Sequence, residues 1–269
     1  METKKTNNKK AYNGISAAIV ILACFIIAVC FYQFVLGNPA NFMDNNPANH
    51  PLPGNYFGTV YKGGYIVPVV ITLLLTVVTL SIERMIAISR SKGRKNLVNF
   101  VQTIKKYLEE GNLDAAHKLC SEQKGSVANV VNAALSRYSD VERASGQTKE
   151  QKILIIQKEI EESTALELPS MEQNLPVIAT ISTLGTLFGL LGTVLGMIRS
   201  FAALANAGSP DSVALSTGIS EALVNTALGI ATGALAIISY NYFISKIDNI
   251  TYAIDEIGFS IVQTFAAKH

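Results

Sequence analysis

Glu221 is the one charged side chain in the run from Val213 to Ile244, and Arg199 is the one in the run from Leu175 to Leu204. An ionisable group in so long an apolar stretch costs about 2.5–3.5 kcal/mol or more to place in a bilayer, so each needs a reason to be there. Asn225 follows Glu221 at i+4 and Thr232 at i+11, with Gly229 between them. They form a polar stripe on one helix face, bordered by Thr226. In the other run Thr186 and Thr193 stand seven apart, each one residue after a glycine. A threonine in a spanning helix usually bonds its own i−4 carbonyl, yet two in register also make a polar lining. The chemistry open to this set is proton uptake and release by a carboxylate, with hydroxyl and amide groups beside it. Two readings of Glu221 stand side by side. Paired with Arg199 it is ionised and structural; facing a cavity it exchanges protons.

Gly185, Gly189, Gly192 and Gly196 recur at spacings of 4, 3 and 4, which puts all four on one stripe of a helix. Lipid supplies little hydrophobic drive between helices, so small residues that let backbones approach closely supply the packing. The stripe predicts a smooth face for another helix.

Other chemistries lack their residues. His50, His117 and His269 are scattered without ligand spacing, Cys24 and Cys30 share one apolar stretch, and Cys120 lies far away. Neither a metal site, a disulfide framework nor a catalytic thiol is expected. No nucleophile–base pair is visible, so the expectation is a protein that is not an enzyme and takes no cofactor. A net charge of +2 gives no argument for a nucleic-acid partner. Charged residues make up 16% of the chain and mean hydropathy is +0.31, which points to membrane lipid as the surroundings.

Four apolar runs position these residues. The first, Ile15 to Leu36, carries no charge and is long enough to cross about 30 Å of hydrocarbon. Lys4, Lys5, Lys9 and Lys10 before it resemble the start of a signal peptide. The run exceeds the usual apolar core of roughly 7–15 residues and no small-x-small cleavage site follows, so it reads as a retained span. The second runs from Tyr65 to Ile82 and ends in Glu83-Arg84. The third and fourth hold Arg199 and Glu221, and Asn206 to Asp211 between them is a turn signal that predicts an antiparallel hairpin. At 1.5 Å per residue, Thr193 and Thr226 then fall near one level in the outer half of the bilayer, with Glu221 near its outer edge.

Lys and Arg set the orientation: four precede the first span, fourteen lie between Glu83 and Asn174, and two follow the fourth span. Lys62 is the one basic residue between the first two spans. Both termini and the 83–174 region are therefore expected in the cytoplasm. The fold class expected is an all-α membrane protein with four transmembrane helices and a helical cytoplasmic domain between the second and third. Its divisions are a tail and first span over 1–37, an outer loop over 38–63, and a second span over 64–82. The cytoplasmic domain covers 83–174, the third span 175–205, an outer turn 206–212, the fourth span 213–245 and a C-terminal helix 246–269. Within the domain, Leu97, Phe100, Val101, Ile104 and Leu108 repeat at helical spacing up to Gly111-Asn112. Asp114 to Cys120 reads as a second helix, Ser126 as the cap of a third, and Thr148 as the start of a fourth with Ile153, Ile156, Ile160 and Leu166 on its apolar face. Pro169 and Pro176 are expected to kink that helix on its way to the third span rather than end it.

The run from Ala179 to Ile198, the run from Ile219 to Ile230 and Tyr240-Asn-Tyr-Phe243 closely resemble the two signature helices of the ExbB/TolQ proteins, relatives of the flagellar-stator MotA proteins. Gly63-Gly64 through Glu83-Arg84, and Glu110 through Cys120, resemble further stretches of the same family, with the greater likeness to ExbB. The resemblance implies a proton-channel subunit that turns the proton-motive force of the inner membrane into mechanical work. It implies a homo-oligomeric ring, usually a pentamer, around the single helices of an ExbD/TolR-type partner. A TonB/TolA-type transducer is implied as the further partner. Carried onto this chain, Thr193 and Thr226 match the pore-facing threonines and Glu221 the acid of the motif, while the protonated group is an Asp of the partner. With Asn225 these make up the expected proton pathway. The chain departs from the pattern at Leu235, where relatives commonly have Pro, and in its extra first span, which gives the four-span layout of the stators.

Overall fold

The computed structural model describes residues 16–144, 146–206 and 212–268. The four N-terminal lysines, most of the 206–211 turn and His269 lie outside the described residues. Among the described residues every regular element is a helix: α1 (Ala17–Cys30), α2 (Tyr56–Lys62), α3 (Ile66–Ser91), α4 (Leu97–Glu109), α5 (Leu113–Gln123), α6 (Gly125–Arg143), α7 (Lys149–Glu172), α8 (Leu175–Asn206) and α9 (Ser212–Lys268). Four helical stretches are long and apolar enough to cross a membrane: Ala17–Leu36, Ile66–Ser91, and windows within Lys149–Ala202 and Leu215–Lys268. The protein is an all-α membrane protein. Its chain divides into two compact units, Ile15–Ile82 with Asn174–Asn241, and Glu83–Gln173 with Tyr242–His269.

In the first unit α1 buries Val20, Cys24 and Ala28, one stripe at a spacing of four, and leaves Ile19, Leu22 and Ile26 more than half exposed. A helix that is apolar all round and buried on one side alone suits lipid on the other. The helix widens into a π-turn over Phe31–Leu36, where the Asn41 amide caps it by donating to the Val35 and Leu36 carbonyls at 2.9 and 3.0 Å. The 38–63 stretch is more ordered than a loop. Phe42 bridges Pro51 and is 1% exposed, Asn55 caps α2, and Tyr61 stacks on Tyr32 at 4.6 Å. Gly63 and Gly64, the latter at φ +80, turn the chain into α3.

The second unit is built on α4 to α7 and the last part of α9. Phe100, Val101, Ile104 and Leu108 are buried on α4, as are Val127, Val130, Val131, Ala134 and Leu135 on α6. From α9 come Phe243, Ile247, Ile250, Ile254, Ile257, Ile261 and Phe265, spaced three and four apart and all 4% exposed or less. Such a stripe is what one helix face needs to close a core. Phe265 meets the Tyr138 ring edge-on at 5.0 Å, and Lys105 pairs with Glu256 at 2.5 Å.

Three expectations are corrected. The chain does not run through to the third span with a kink. α7 passes Pro169 and ends at Glu172, and Asn174 at φ 67 breaks the path before Pro176, which then falls in the first turn of α8 where its missing N–H costs nothing. Arg84 closes that end of α7: its side chain is fully buried, pairs with Glu83, and donates to the Ser170 and Met171 carbonyls at 3.1 and 3.3 Å. Ser126 caps nothing, because Lys124 and Gly125 both adopt positive φ and lead directly into α6, which leaves Ser126 inside the first turn. Leu166 is 82% exposed rather than on a buried face. α9 is continuous through 57 residues, and the division between the two units falls within it, at Asn241 and Tyr242.

Candidate functional site

The glycine stripe of α8 lies against α9. A Cβ added to Gly185 would stand 3.1 Å from the Gly229 carbonyl oxygen, and one at Gly229 would stand 2.6 Å from the Gly189 Cα. At Gly233 it would lie 2.7 Å from the Ser182 carbonyl oxygen, and at Gly196 it would meet Ala222. No side chain fits between the two backbones at these levels. The partner stripe on α9 is thus Ala222, Gly229 and Gly233, spaced so that each sits opposite a glycine or a carbonyl of α8.

Close approach brings the threonines together. The Thr193 and Thr226 hydroxyls are hydrogen-bonded to each other across the seam. Thr193 Oγ1 also lies 3.2 Å from the Gly189 carbonyl and 3.3 Å from that of Ala222, while Thr226 Oγ1 lies 3.2 Å from the Gly189 carbonyl. Each hydroxyl has one proton to donate, with three acceptors in reach of Thr193 and two in reach of Thr226. Both side chains are half-buried in the single chain. The pair can therefore pass its hydrogen bonds from one carbonyl to another without moving a helix. Thr186 is exposed and bonds the Ser182 carbonyl at 3.4 Å.

Glu221 stands five residues earlier on α9. It is half-buried and lines a cleft of about 70 Å³ with Lys62, Gly63, Gly196, Arg199 and Ser200, enough for one or two water molecules. Arg199 shares the cleft without pairing with the acid: no ion pair joins them among the described residues. Its guanidinium lies over the Gly64–Tyr65 turn, 6.0 Å from the Tyr65 ring centre and 2.7 Å from where a Gly64 Cβ would be. An aromatic face and an open glycine hold it there instead.

Asn225 stands one helical turn after Glu221. It is 1% exposed, and its amide fills a notch left by Gly192 and donates to the Gly63 carbonyl at 2.9 Å, with Oδ1 buried and unpartnered. Its place is a strut between α9 and the turn before α3. Lys62, Gly63 and Ser200 were not singled out from the sequence. Gly63 and Asn225 lie 162 residues apart, so no local spacing signals their meeting. Thr232, on the same stripe, is fully buried and bonds the Leu228 carbonyl at 2.8 Å.

A family model described as the MotA/TolQ/ExbB proton channel family matches residues 122–256, which holds α8, the described part of the turn and most of α9. The chain belongs to this family and is a multi-pass inner-membrane protein. It is 24% identical over 191 residues to the Tol-Pal system protein TolQ of Haemophilus influenzae, a match covering 70% of this chain and 83% of that protein. It is 25% identical over 203 residues to a putative biopolymer transport protein ExbB homolog of Methanothermobacter thermautotrophicus, covering 72% and 66%. Against the biopolymer transport protein ExbB of Pseudomonas putida the identity is 31% over 130 residues, covering 47% of this chain and 38% of the relative, so the chain spans little more than a third of that protein.

Proposed function

We propose that this chain is a proton-channel motor subunit that couples the proton-motive force of the inner membrane to energised transport at the outer membrane. In this reading the termini and the 83–174 region are cytoplasmic, and the chains assemble as a ring, a pentamer, around an ExbD/TolR-type single helix. A TonB/TolA-type transducer carries the work onward. The observation that carries it is the Thr193–Thr226 hydrogen bond across the seam, on a wall whose neighbour at the cleft is the acid Glu221. Glu221 poises the entry, the two hydroxyls line the path, and an acidic group of the partner takes the proton. One proton falling through 100 mV releases about 2.3 kcal/mol, enough to bias a step between packed arrangements. Leu187, Leu190, Val194 and Ile198 on α8, and Leu223 and Ile230 on α9, are 48–59% exposed in the single chain and supply apolar surface for neighbours in the ring.

The test is uptake. Glu221→Gln and Thr226→Val are expected to abolish energy-dependent uptake across the outer membrane while the complex still assembles; wild-type uptake in both would overturn the reading. TolQ-like envelope maintenance is favoured by the coverage of the Haemophilus relative, and a MotA-like stator by the extra span α1; envelope leakage or a motility defect on deletion separates them. A non-conducting scaffold accounts for the seam alone, and proton flux through the reconstituted complex excludes it.

A further inference from the structure

The turn after α3 is latched to the turn between α5 and α6. Gln123 is fully buried; its Nε2 donates to the Lys92 and Lys95 carbonyls at 2.8 and 2.9 Å, and its Oε1 accepts from the Lys95 amide at 3.2 Å. Its own carbonyl accepts from the Arg94 amide at 2.8 Å. Gly93 and Gly125, at φ +89 and +85, let the backbones touch: a Cβ on Gly125 would lie 2.6 Å from the Ser91 carbonyl oxygen. Next to Gly125, Lys124 holds φ 56 and ψ 177, a region that is essentially reserved for glycine. A side chain kept in such a conformation at a surface is a reason to look for what it serves.

The latch fixes one wall of a cleft of about 490 Å³ at the end of α3. Met85 and Ile86 supply its apolar side, and they are 53% and 43% exposed. Arg90, Arg94 and Lys124 supply its rim, and no acid lines it. Lys95 is answered by Glu122 at 2.7 Å, but among the described residues no acid pairs with Arg94 or Lys124. α3 is one of the helices long and apolar enough to cross a membrane, so its last turns fall where hydrocarbon gives way to headgroups.

We propose that this cleft binds the headgroup of an anionic phospholipid, with the phosphate between Arg94 and Lys124, Arg90 beside it, and an acyl chain along Met85 and Ile86. Guanidinium and ammonium groups make charge-assisted hydrogen bonds to phosphate oxygens, and the lipid's negative charge offsets Arg94 and Lys124. A free phosphate would satisfy the cations and leave Met85 and Ile86 against water. The cleft is separate from the seam, and the proposal stands whether or not the chain conducts protons.

The experiment uses the full chain, purified in a neutral detergent, stripped of lipid and read by native mass spectrometry with phosphatidylglycerol, phosphatidylcholine or inorganic phosphate added. Selective retention of phosphatidylglycerol is expected, with about tenfold weaker retention in the Arg94→Gln, Lys124→Gly double variant. Glycine suits the backbone at 124, so Lys124→Gly alone removes a cation without a folding penalty and must weaken retention as well. A charge-matched control, Lys106→Gln with Lys158→Gln at side chains 70% exposed, should retain the lipid as wild type does. Equal retention of phosphatidylcholine, displacement of the lipid by an equal concentration of inorganic phosphate, unchanged binding in the variants, or equal loss in the control would each overturn the site.

Discussion

The hydroxyls of Thr193 and Thr226 are hydrogen-bonded to each other across the α8–α9 seam, and both reach the same Gly189 carbonyl. Two groups that each donate and accept, sharing one acceptor, can reverse their bonding sense at no cost in helix geometry. That relationship sets the first expectation.

Thr226→Val keeps the shape and removes the hydroxyl. Proton flux through vesicles holding the complex with its partner is expected to fall about tenfold or more, the equivalent of about 1.4 kcal/mol on the barrier. Thr193→Val should do the same, and the double variant should lose little beyond either single one because the two hydroxyls act as a unit. Additive losses would show that they act separately.

Gly229→Val tests the seam as packing. With a Cβ due 2.6 Å from the Gly189 Cα, the helices must part, and overpacking of this kind costs about 1–3 kcal/mol. Thermal unfolding in detergent should register that loss. Leu166→Ala, at a side chain 82% exposed on α7, should stay within about 0.5 kcal/mol of wild type.

Arg84→Ala removes the guanidinium that answers Glu83 and the last carbonyls of α7. Breaking a buried pair from one side costs about 3–5 kcal/mol, whereas replacing both partners is milder. Denaturant unfolding should therefore place Glu83→Gln, Arg84→Met above Arg84→Ala in stability.

Burial pushes the Cys120 thiol from 9.0 up to about 12. The unfolded chain loses that proton near 9.0 while the folded chain keeps it, so the folded state binds more protons in between. The contribution to stability is full below 9.0 and is lost as pH rises toward about 12. In a Cys24→Ala, Cys30→Ala background, maleimide labelling of Cys120 near pH 8 should be about a thousandfold slower than that of a free thiol. Labelling at the rate of an exposed cysteine would show that the helix opens.

What the residues revealed in advance follows from how local each signal is. Apolar runs mark their own length, and the stripe from Gly185 to Gly196 marks its own face, so the spans and the seam were legible without knowing what packs where. The level match of Thr193 and Thr226 came from counting helical rise, and they do meet. Asn225 shares a face with Glu221 while its amide bonds a carbonyl 162 residues away, and a polar stripe does not say whether a polar group or a cavity stands opposite. The same holds for Arg199, whose resting place on Gly64 and Tyr65 belongs to another segment. The break at Asn174 is hidden for a different reason: Pro169 and Pro176 carry the stronger local signal, while the residue that turns the backbone is an asparagine at φ 67.

A seam made of glycines has no rotamers to rearrange and no side-chain entropy to recover by loosening. The α8–α9 pair then behaves as a single stiff stave rather than as two helices that slide on each other. Strain applied at the Glu221 end finds little to repack between them, because at Gly185, Gly189, Gly229 and Gly233 backbone meets backbone. Any motion of the pair is then taken up along the outer surfaces of the stave, where leucine, isoleucine and valine side chains remain free to give way.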